Sequence, residues 1–196
     1  NPYLKANWSS LNLPAGTRVF VPLCGKSLDL IWLAQQGYQV VGVELSPLAV
    51  EQFFTENNLV AERQQVGELV CWQSENITVF CGDFFALTAK ALGKVDAVYD
   101  RASLVALPPK MRQDYAAKLT ELAQSAPKLL VTLEYDQSKM DGPPFSVSED
   151  EVKALYQANY SVKQISAQDV LGNNEKFRDK GLEYMNECIY KLVAAT

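Results

Sequence analysis

Charged side chains follow three apolar stretches of this sequence, at points where the strands of a sheet are expected to end. Glu44 closes one stretch and comes 19 residues after Gly25. Asp83 follows a second stretch, while Asp100 and Arg101 close a third. Because buried charges are costly unless they are paired or serve a ligand, these side chains are candidates for binding or catalysis. A structural ion pair between Asp100 and Arg101 is the alternative interpretation.

The spacing of Gly25 and Glu44 favours a nucleoside cofactor. An acidic residue at the end of a second strand can accept hydrogen bonds from both hydroxyls of a ribose. Dinucleotides also carry a pyrophosphate, which requires a G-x-G-x-x-G turn at a helix N-terminus, whereas the turn at 23–25 has a single glycine. S-adenosylmethionine has no phosphate, so the sequence favours it over NAD or FAD. An ordinary tight turn and a solvated strand end are the alternatives for these two residues.

Asp83 and Phe84 follow the apolar stretch 77–81. The Asp83 carboxylate could accept a hydrogen bond from the amino group of adenine, and the Phe84 ring could flank the base. The alternative is that Asp83 only caps the short segment that follows it.

Residues that are missing or scattered limit the chemistry. The chain contains no histidine, which excludes Ser-His-Asp and Cys-His catalysis and the commonest metal ligand. The cysteines form no C-x-x-C pair, so we expect no metal site and interpret them as reduced, mostly buried thiols of a cytoplasmic protein. They are Cys24, Cys71, Cys81 and Cys188.

Composition narrows the possible partners. The net charge of −5 argues against nucleic acid as a partner, because phosphate binding needs clustered Lys and Arg. No apolar run approaches the roughly 18 residues of a membrane helix, and no signal peptide opens the sequence. We therefore expect a small-molecule partner and no membrane or nucleic-acid partner.

Strand and helix patterns alternate along the first two thirds of the chain. This alternation predicts an α/β fold with a parallel sheet and helices on both of its faces. Two late strands could return as an antiparallel hairpin at the sheet edge. The predicted strands cover 18–22, 39–44, 68–72, 77–81, 95–100, 128–135, 161–167 and 187–193, and the main predicted helices cover 26–36, 46–57, 108–124 and 149–158.

Several segments together resemble one known family. They are RVFVPLCGKS at 18–27, VVGVELS at 40–46, YDR at 99–101 followed by ASLVAL, YD at 135–136 followed by GPPF at 142–145, and FRDKGL at 177–182 with IYKL at 189–192. These segments are similar to the bacterial thiopurine S-methyltransferases, which belong to the class I S-adenosylmethionine-dependent methyltransferases. The resemblance runs from about residue 1 to residue 193.

The resemblance implies one methyltransferase domain over residues 1–196. Its fold would be a Rossmann-like three-layer sandwich with a mostly parallel seven-stranded sheet and an antiparallel edge hairpin. The cofactor would be S-adenosylmethionine, the product S-adenosylhomocysteine, and the chain a monomer without a metal. The family also carries an upstream segment with aromatic residues that close over the cofactor. We expect that this N-terminal lid segment is not part of the present chain.

The resemblance also assigns cofactor-binding positions. Leu23, Gly25 and Glu44 would contact the cofactor, and Asp83 and Phe84 would lie beside its adenine.

The acceptor side is assigned in the same way. Arg101 would lie beside the methionyl end of the cofactor and the acceptor. The chemistry of methyl transfer adds that Arg101 could stabilise an anionic sulfur and that Asp100 would orient Arg101 or act as a base. Arg178 or Lys180 would provide a second positive charge. The 136–146 loop is a candidate lid, in which Phe145 would form an apolar wall for a flat heterocycle or would pack into the core.

The expected activity is methyl transfer to the sulfur of a thiopurine or of another aromatic or heterocyclic thiol. A selenium or tellurium compound is an alternative acceptor, as are a halide and a small thiol. Two other classes stay open, a dinucleotide-dependent oxidoreductase and a non-catalytic protein that senses S-adenosylmethionine.

Overall fold

A computed structural model describes residues 1–173 and 175–195 of the 196-residue chain. Its strands form one sheet with the order β3-β4-β5-β2-β1-β6-β7-β9-β8. In chain order they are β1 (Arg18–Val21), β2 (Gln39–Glu44), β3 (Glu62–Val66), β4 (Leu69–Ser74), β5 (Ile77–Cys81), β6 (Ala97–Arg101), β7 (Lys128–Glu134), β8 (Tyr160–Asp169) and β9 (Asn186–Ala194).

Helices cover both faces of this sheet. They are α1 (Pro2–Asn7), α2 (Asp29–Gln35), α3 (Pro47–Glu56), α4 (Ala89–Leu92), α5 (Ser103–Ala106), α6 (Pro109–Ala123), α7 (Glu149–Tyr156) and α8 (Glu175–Arg178). The sequence places the start of α3 correctly, because Pro47 is its first residue and the Ser46 hydroxyl accepts a hydrogen bond from the Ala49 N–H at 3.2 Å.

The core is divided by the sheet into two apolar layers. Successive residues of β1 alternate between them, so Phe20 packs with α6 and α7 while Val19 and Val21 pack with α1, α2 and α3. Both layers are fully buried at these positions, which explains why the central strands read as continuous apolar runs.

The strand count and the pairing differ from the prediction of a mostly parallel seven-stranded sheet. The structure has nine strands among its described residues, of which the five central ones, β5, β2, β1, β6 and β7, are parallel. Antiparallel strands complete both edges, β3 and β4 on one side and β9 and β8 on the other. The late edge hairpin was expected, whereas β3 was not.

Strand β3 escaped the sequence analysis because it carries no apolar alternation. Its sequence ERQQV is almost entirely exposed, so burial does not define it. The strand is defined instead by its five-residue pairing with β4. The Arg63 guanidinium adds a contact, because it lies 3.6 Å from the centre of the Trp72 ring.

The order of the strands creates a switch point between β1 and β6. From β1 the chain passes to β2, crosses to the edge strand β3 and comes back through β4 to β5 beside β2. It then crosses to β6 on the opposite side of β1. In such sheets ligands bind in the crevice outside the carboxyl ends of the strands at the switch point. The segments that follow β1, β2, β5 and β6 therefore meet at the edge where a ligand is expected.

Candidate functional site

Glu44 ties together the loops that follow β1 and β2. Its Oε2 accepts a hydrogen bond from the Gly25 N–H at 2.9 Å, and its Oε1 accepts one from the Ser46 N–H at 2.8 Å. The carboxylate is only partly buried. Since an ionised carboxylate has about four lone-pair sites, each oxygen can accept a further hydrogen bond from a ligand.

The β1 loop adopts a backbone conformation that is unusual outside glycine. Leu23 has φ of 46° and Gly25 has φ of 54°, while the Cys24 N–H donates to the Val43 carbonyl at 3.0 Å. A non-glycine residue at positive φ costs free energy and is frequent at functional sites. This conformation directs Leu23 into a cavity at the carboxyl edge.

That cavity has a volume of about 140 Å³. Its wall is mainly apolar, with two carboxylates as the charged groups. The lining residues are Leu23, Val43, Glu44, Leu45, Gly82, Asp83, Phe84, Phe85, Leu107, Met111 and Tyr115. Four of the predicted cofactor residues thus meet in one place, namely Leu23, Glu44, Asp83 and Phe84, whereas Gly25 and Arg101 lie outside the lining.

Asp83 and Phe84 contribute one end of the cavity. Asp83 Oδ1 accepts a hydrogen bond from the Phe85 N–H at 2.9 Å, so this residue caps the short 3₁₀ turn that begins at Phe84. The structure therefore shows the capping contact, which uses Oδ1 and leaves Oδ2 available to a ligand. The Phe84 ring is buried against Tyr115, with 4.9 Å between the ring centres.

Tyr115 connects the cavity to Asp100. Its hydroxyl donates to Asp100 Oδ2 at 2.8 Å, and Asp100 is only 1% exposed. Burial raises the pKa of Asp100 to about 6, against the hydrogen bonds from Ser103 and Tyr115, which lower it. Only the fold shows that the Tyr115 hydroxyl meets this carboxylate, because Tyr115 lies on α6 and Asp100 on β6.

Arg101 contacts Glu187 rather than Asp100. Arg101 Nε lies 3.8 Å from Glu187 Oε1, and the side chains are 41% and 15% exposed. Asp100 and Arg101 are neighbours on β6, so their side chains point to opposite faces of the sheet. The expected contact in which Asp100 orients Arg101, and the alternative ion pair between them, are therefore both wrong.

The 136–146 loop is held down at several points. The Phe145 N–H donates to the Val105 carbonyl at 2.6 Å, and the Phe145 ring is half-buried. Gly142 lies so close to this ring that an added Cβ would be 2.5 Å from it.

The buried Arg112 side chain joins this loop to two helices. Arg112 is 1% exposed and donates hydrogen bonds to the Leu104 carbonyl of α5 at 3.0 Å and to the Ser146 carbonyl of the loop at 3.2 Å. It also pairs with Glu151 of α7 at 2.7 Å.

The segment between β8 and β9, called the late segment below, packs beside the end of β7. Leu171, Leu182 and Met185 form an apolar cluster with Tyr135 and Met140, which places the segment over the start of the 136–146 loop.

Both basic residues proposed there are exposed. Arg178 pairs loosely with Glu175 at 3.5 Å, and Lys180 projects from the following turn. Neither residue lines the cavity.

Metal and membrane features can be assessed only over the residues that the structure describes. Within those residues, no group of three or more potential ligand side chains could hold a metal ion. In the same part of the chain, no helix has the length and apolar character needed to cross a membrane. Three of the four cysteines are buried and Cys71 is half-buried, and all four are free thiols, as expected.

Solved structures share this architecture. The YcgJ protein of Bacillus subtilis superposes with a TM-score of 0.67 over 100% of this chain and 99% of that chain, at 13% sequence identity. The magnesium protoporphyrin IX methyltransferase ChlM of Synechocystis PCC 6803, solved with bound S-adenosylmethionine, gives 0.63 over 98% and 75%, at 18% identity. The fold is that of the class I methyltransferases, with an additional strand pair at one edge.

Sequence relatives define the family. The model of the thiopurine S-methyltransferase family matches residues 1–195. The thiopurine S-methyltransferase of Bordetella petrii is 49% identical over 192 residues, covering 97% of this chain and 88% of the relative. The chain therefore belongs to the thiopurine S-methyltransferase family, which confirms the resemblance and sets aside the dinucleotide-dependent oxidoreductase.

Proposed function

We propose that this protein transfers a methyl group from S-adenosylmethionine to the sulfur of a thiopurine or of another aromatic or heterocyclic thiol. The observation that carries the proposal is the position of the Glu44 carboxylate. It lies in the wall of an apolar cavity beside the switch point, with one hydrogen-bond acceptor site left on each oxygen.

The residues present fit this cofactor. Two vicinal ribose hydroxyls could donate one hydrogen bond to each oxygen of Glu44, and a flat purine suits the apolar wall formed by Phe84 and Tyr115. The Asp83 carboxylate could accept from the amino group of adenine. Because small-molecule sites usually measure roughly 300 Å³ or more, the cavity of about 140 Å³ would enclose only the adenosine end.

When bound, S-adenosylmethionine would supply an electrophilic methyl group, with a new carbon–sulfur bond to the acceptor replacing the carbon–sulfur bond to the cofactor, which would leave as S-adenosylhomocysteine. The protein has to align the acceptor and favour its thiolate form. Arg101 is suited to the second task, because its guanidinium is permanently charged and 41% exposed at the end of β6. Arg178 or Lys180 would add positive charge from the late segment, and Phe145 would contact the acceptor ring.

A dedicated base is optional in this mechanism. Thiopurines lose their proton to water close to neutral pH, so a thiopurine acceptor can bind as an anion. Asp100 is buried behind Tyr115, and we propose that its role in catalysis is to hold this ring in the cavity wall rather than to take the proton.

One experiment tests cofactor and reaction together. Isothermal titration with S-adenosylhomocysteine is expected to show one site per chain. Incubation with methyl-labelled S-adenosylmethionine and a thiopurine is expected to yield the labelled S-methyl product by mass spectrometry. A folded protein that binds no S-adenosylhomocysteine would overturn the cofactor assignment. Binding without transfer to any thiol would overturn the acceptor class and favour a sensor of the cofactor.

We further propose that the protein acts as a cytoplasmic monomer with neither nucleic acid nor membrane as a partner. The net charge of −5 and the free thiols support this proposal. Light scattering is expected to give the mass of a single chain, 21.8 kDa.

The lid segment expected upstream of residue 1 stays a prediction. Comparing the affinity of forms with and without an N-terminal extension for S-adenosylhomocysteine tests it, and the extended form is expected to bind more tightly.

A further inference from the structure

Glu187 is the carboxylate that contacts Arg101, and it lies in none of the segments that carry the family resemblance. The contact joins Arg101 Nε to Glu187 Oε1 at 3.8 Å. Burial raises the pKa of Glu187, while the Arg101 guanidinium opposes that shift. The Glu187 side chain is 15% exposed and that of Arg101 41%, so the acid lies on the inner side of the pair.

The sheet fixes the relative position of these two residues. Arg101 is opposite Val131 on β7, and Glu187 is opposite Leu133 on the same strand. Val131 and Leu133 are two residues apart, so all four side chains leave the same face of the sheet. The pair therefore spans the end of β7 on a rigid base, with the flexible arginine directed by a carboxylate that the strand ladder holds in place.

Because Glu187 lies beside Nε, the position of this contact determines which N–H groups of the Arg101 guanidinium can still bind a ligand. A guanidinium has five N–H groups in a planar fork, and Nε carries one of them. A carboxylate beside Nε leaves the edge formed by the two terminal nitrogens, which presents parallel N–H groups to a ligand. Such an edge matches a ligand with two adjacent acceptor atoms.

We propose that Glu187 is a positioning residue which turns the terminal edge of the Arg101 guanidinium toward the acceptor. The acceptors favoured by this arrangement contain an N–C–S unit, in which a ring nitrogen is adjacent to the carbon that bears the sulfur. In the anion of such an acceptor neither atom carries a proton, so sulfur and nitrogen each accept one of the two parallel hydrogen bonds. This proposal rests on the proposed function, because it assumes that Arg101 meets the acceptor.

A double-mutant cycle with matched acceptors tests the proposal. The proteins are the wild type, Glu187→Gln, Arg101→Lys and the double variant, since lysine keeps the charge but has no guanidinium edge to orient. The acceptors are 2-mercaptopyridine, whose ring nitrogen is next to the C–S carbon, and 4-mercaptopyridine, whose ring nitrogen is distant from it. Comparing each variant with the wild type for the same thiol cancels the intrinsic reactivity of the acceptors.

We expect Glu187→Gln to lower kcat/KM for 2-mercaptopyridine about tenfold, mainly through a higher KM, and for 4-mercaptopyridine no more than about twofold. In the Arg101→Lys background, Glu187→Gln is expected to add less than about twofold, because nothing is left for it to orient. The affinity for S-adenosylhomocysteine is expected to stay unchanged in Glu187→Gln. The matched control Glu183→Gln removes an exposed carboxylate from the same C-terminal region and is expected to behave as the wild type.

Three results would overturn the proposal: full activity of Glu187→Gln, equal losses for the two isomers, or effects of the two substitutions that multiply. A wild-type protein that binds S-adenosylhomocysteine but methylates neither isomer would refute the proposed acceptor class as well. That outcome is recognised before any variant is compared, so the two failures are distinguishable.

Discussion

The two ends of the same sheet carry cavities of different kinds. At the amino end of β6 and β7, a groove of about 560 Å³ lies among residues 89–96 and 122–127. The cavity at the carboxyl end is about 140 Å³. In the large groove, charges such as Lys94 and Asp96 pair with each other at 2.9 Å. In the small cavity, the Glu44 carboxylate is held by backbone N–H groups and keeps spare acceptor sites. Unused hydrogen-bonding capacity at the switch point identifies the site better than volume does.

Each end of the sheet also has a buried ionisable side chain on a central strand, and these two side chains lie on the same face. Asp100 lies near the carboxyl end and Lys128 at the amino end of β7, both 1% exposed. Burial raises the pKa of Asp100 to about 6 and lowers that of Lys128 to about 7. Asp100 touches the wall of the proposed site through Tyr115, whereas the Lys128 ammonium donates hydrogen bonds to the Tyr160 hydroxyl and the Ala126 carbonyl and interacts electrostatically with Asp100. Similar burial therefore has different consequences at the two ends.

Among substitutions at the carboxyl end of the sheet, Arg101→Ala is expected to have the largest effect on activity. Losing a preorganised cationic donor should lower kcat/KM for a thiopurine on the order of 10²–10³-fold. The free energy of unfolding should fall by less than about 1 kcal/mol, because the Arg101–Glu187 pair is partly exposed. Steady-state kinetics and thermal unfolding of the same preparations check both numbers. Activity equal to the wild type would remove Arg101 from the site.

Glu44→Ala is expected to weaken cofactor binding by at least roughly 10–100-fold, since even one hydrogen bond to a charged acceptor contributes about 1.5–3 kcal/mol. The substitution also removes the acceptor for the Gly25 and Ser46 N–H groups, so unfolding should be followed in parallel. Glu44→Gln keeps one oxygen acceptor and should lose less. An unchanged dissociation constant for S-adenosylhomocysteine in Glu44→Ala would contradict the proposed ribose contact.

Lys128→Met tests the amino end of the sheet. It should change the free energy of unfolding and leave the methyl-transfer activity unchanged. The pKa of Lys128 is about 7 in the folded protein and 10.5 as its ordinary value, so the folded state is penalised as pH falls from about 10.5 to 7. Removing the amine should stabilise the protein by about 2 kcal/mol at pH 7, after allowance for its lost hydrogen bonds. Near pH 10.5 it should destabilise the protein by about 2 kcal/mol, because the protonation penalty is then small while the hydrogen bonds are still lost. Urea unfolding at both pH values measures it. Equal changes in the free energy of unfolding at the two pH values would contradict the pKa assigned to Lys128. Reduced activity would show that the amino end of the sheet also takes part in function.

Ser125→Arg should have the smallest effect. The substitution fills part of the amino-end groove from an exposed position. Because no ligand is assigned to this groove, both the affinity for S-adenosylhomocysteine and kcat/KM should stay within about twofold of the wild type. A large loss of either would mean that the larger groove takes part in function.

Much of the proposed site could be predicted from order along the chain. Glu44 and Asp83 follow apolar strands, and parallel strands bring their carboxyl ends to one edge, so their convergence on one cavity with Leu23 and Phe84 required no tertiary information. The cap at Ser46 and the late edge hairpin are local features of the same kind. Pattern and spacing report such features because each depends on one element or on one rule of sheet topology.

Only the tertiary structure decided which charges meet. The sequence places Asp100 beside Arg101, yet the strand pleat sends them to opposite faces, where they contact Tyr115 and Glu187. Glu187 comes 86 residues after Arg101 and reaches it because β9 pairs with β7 in one register. Strand β3 likewise exists through its backbone pairing with β4 rather than through apolar residues. Contacts between distant segments follow from register and strand direction, which a linear pattern of residue types does not encode.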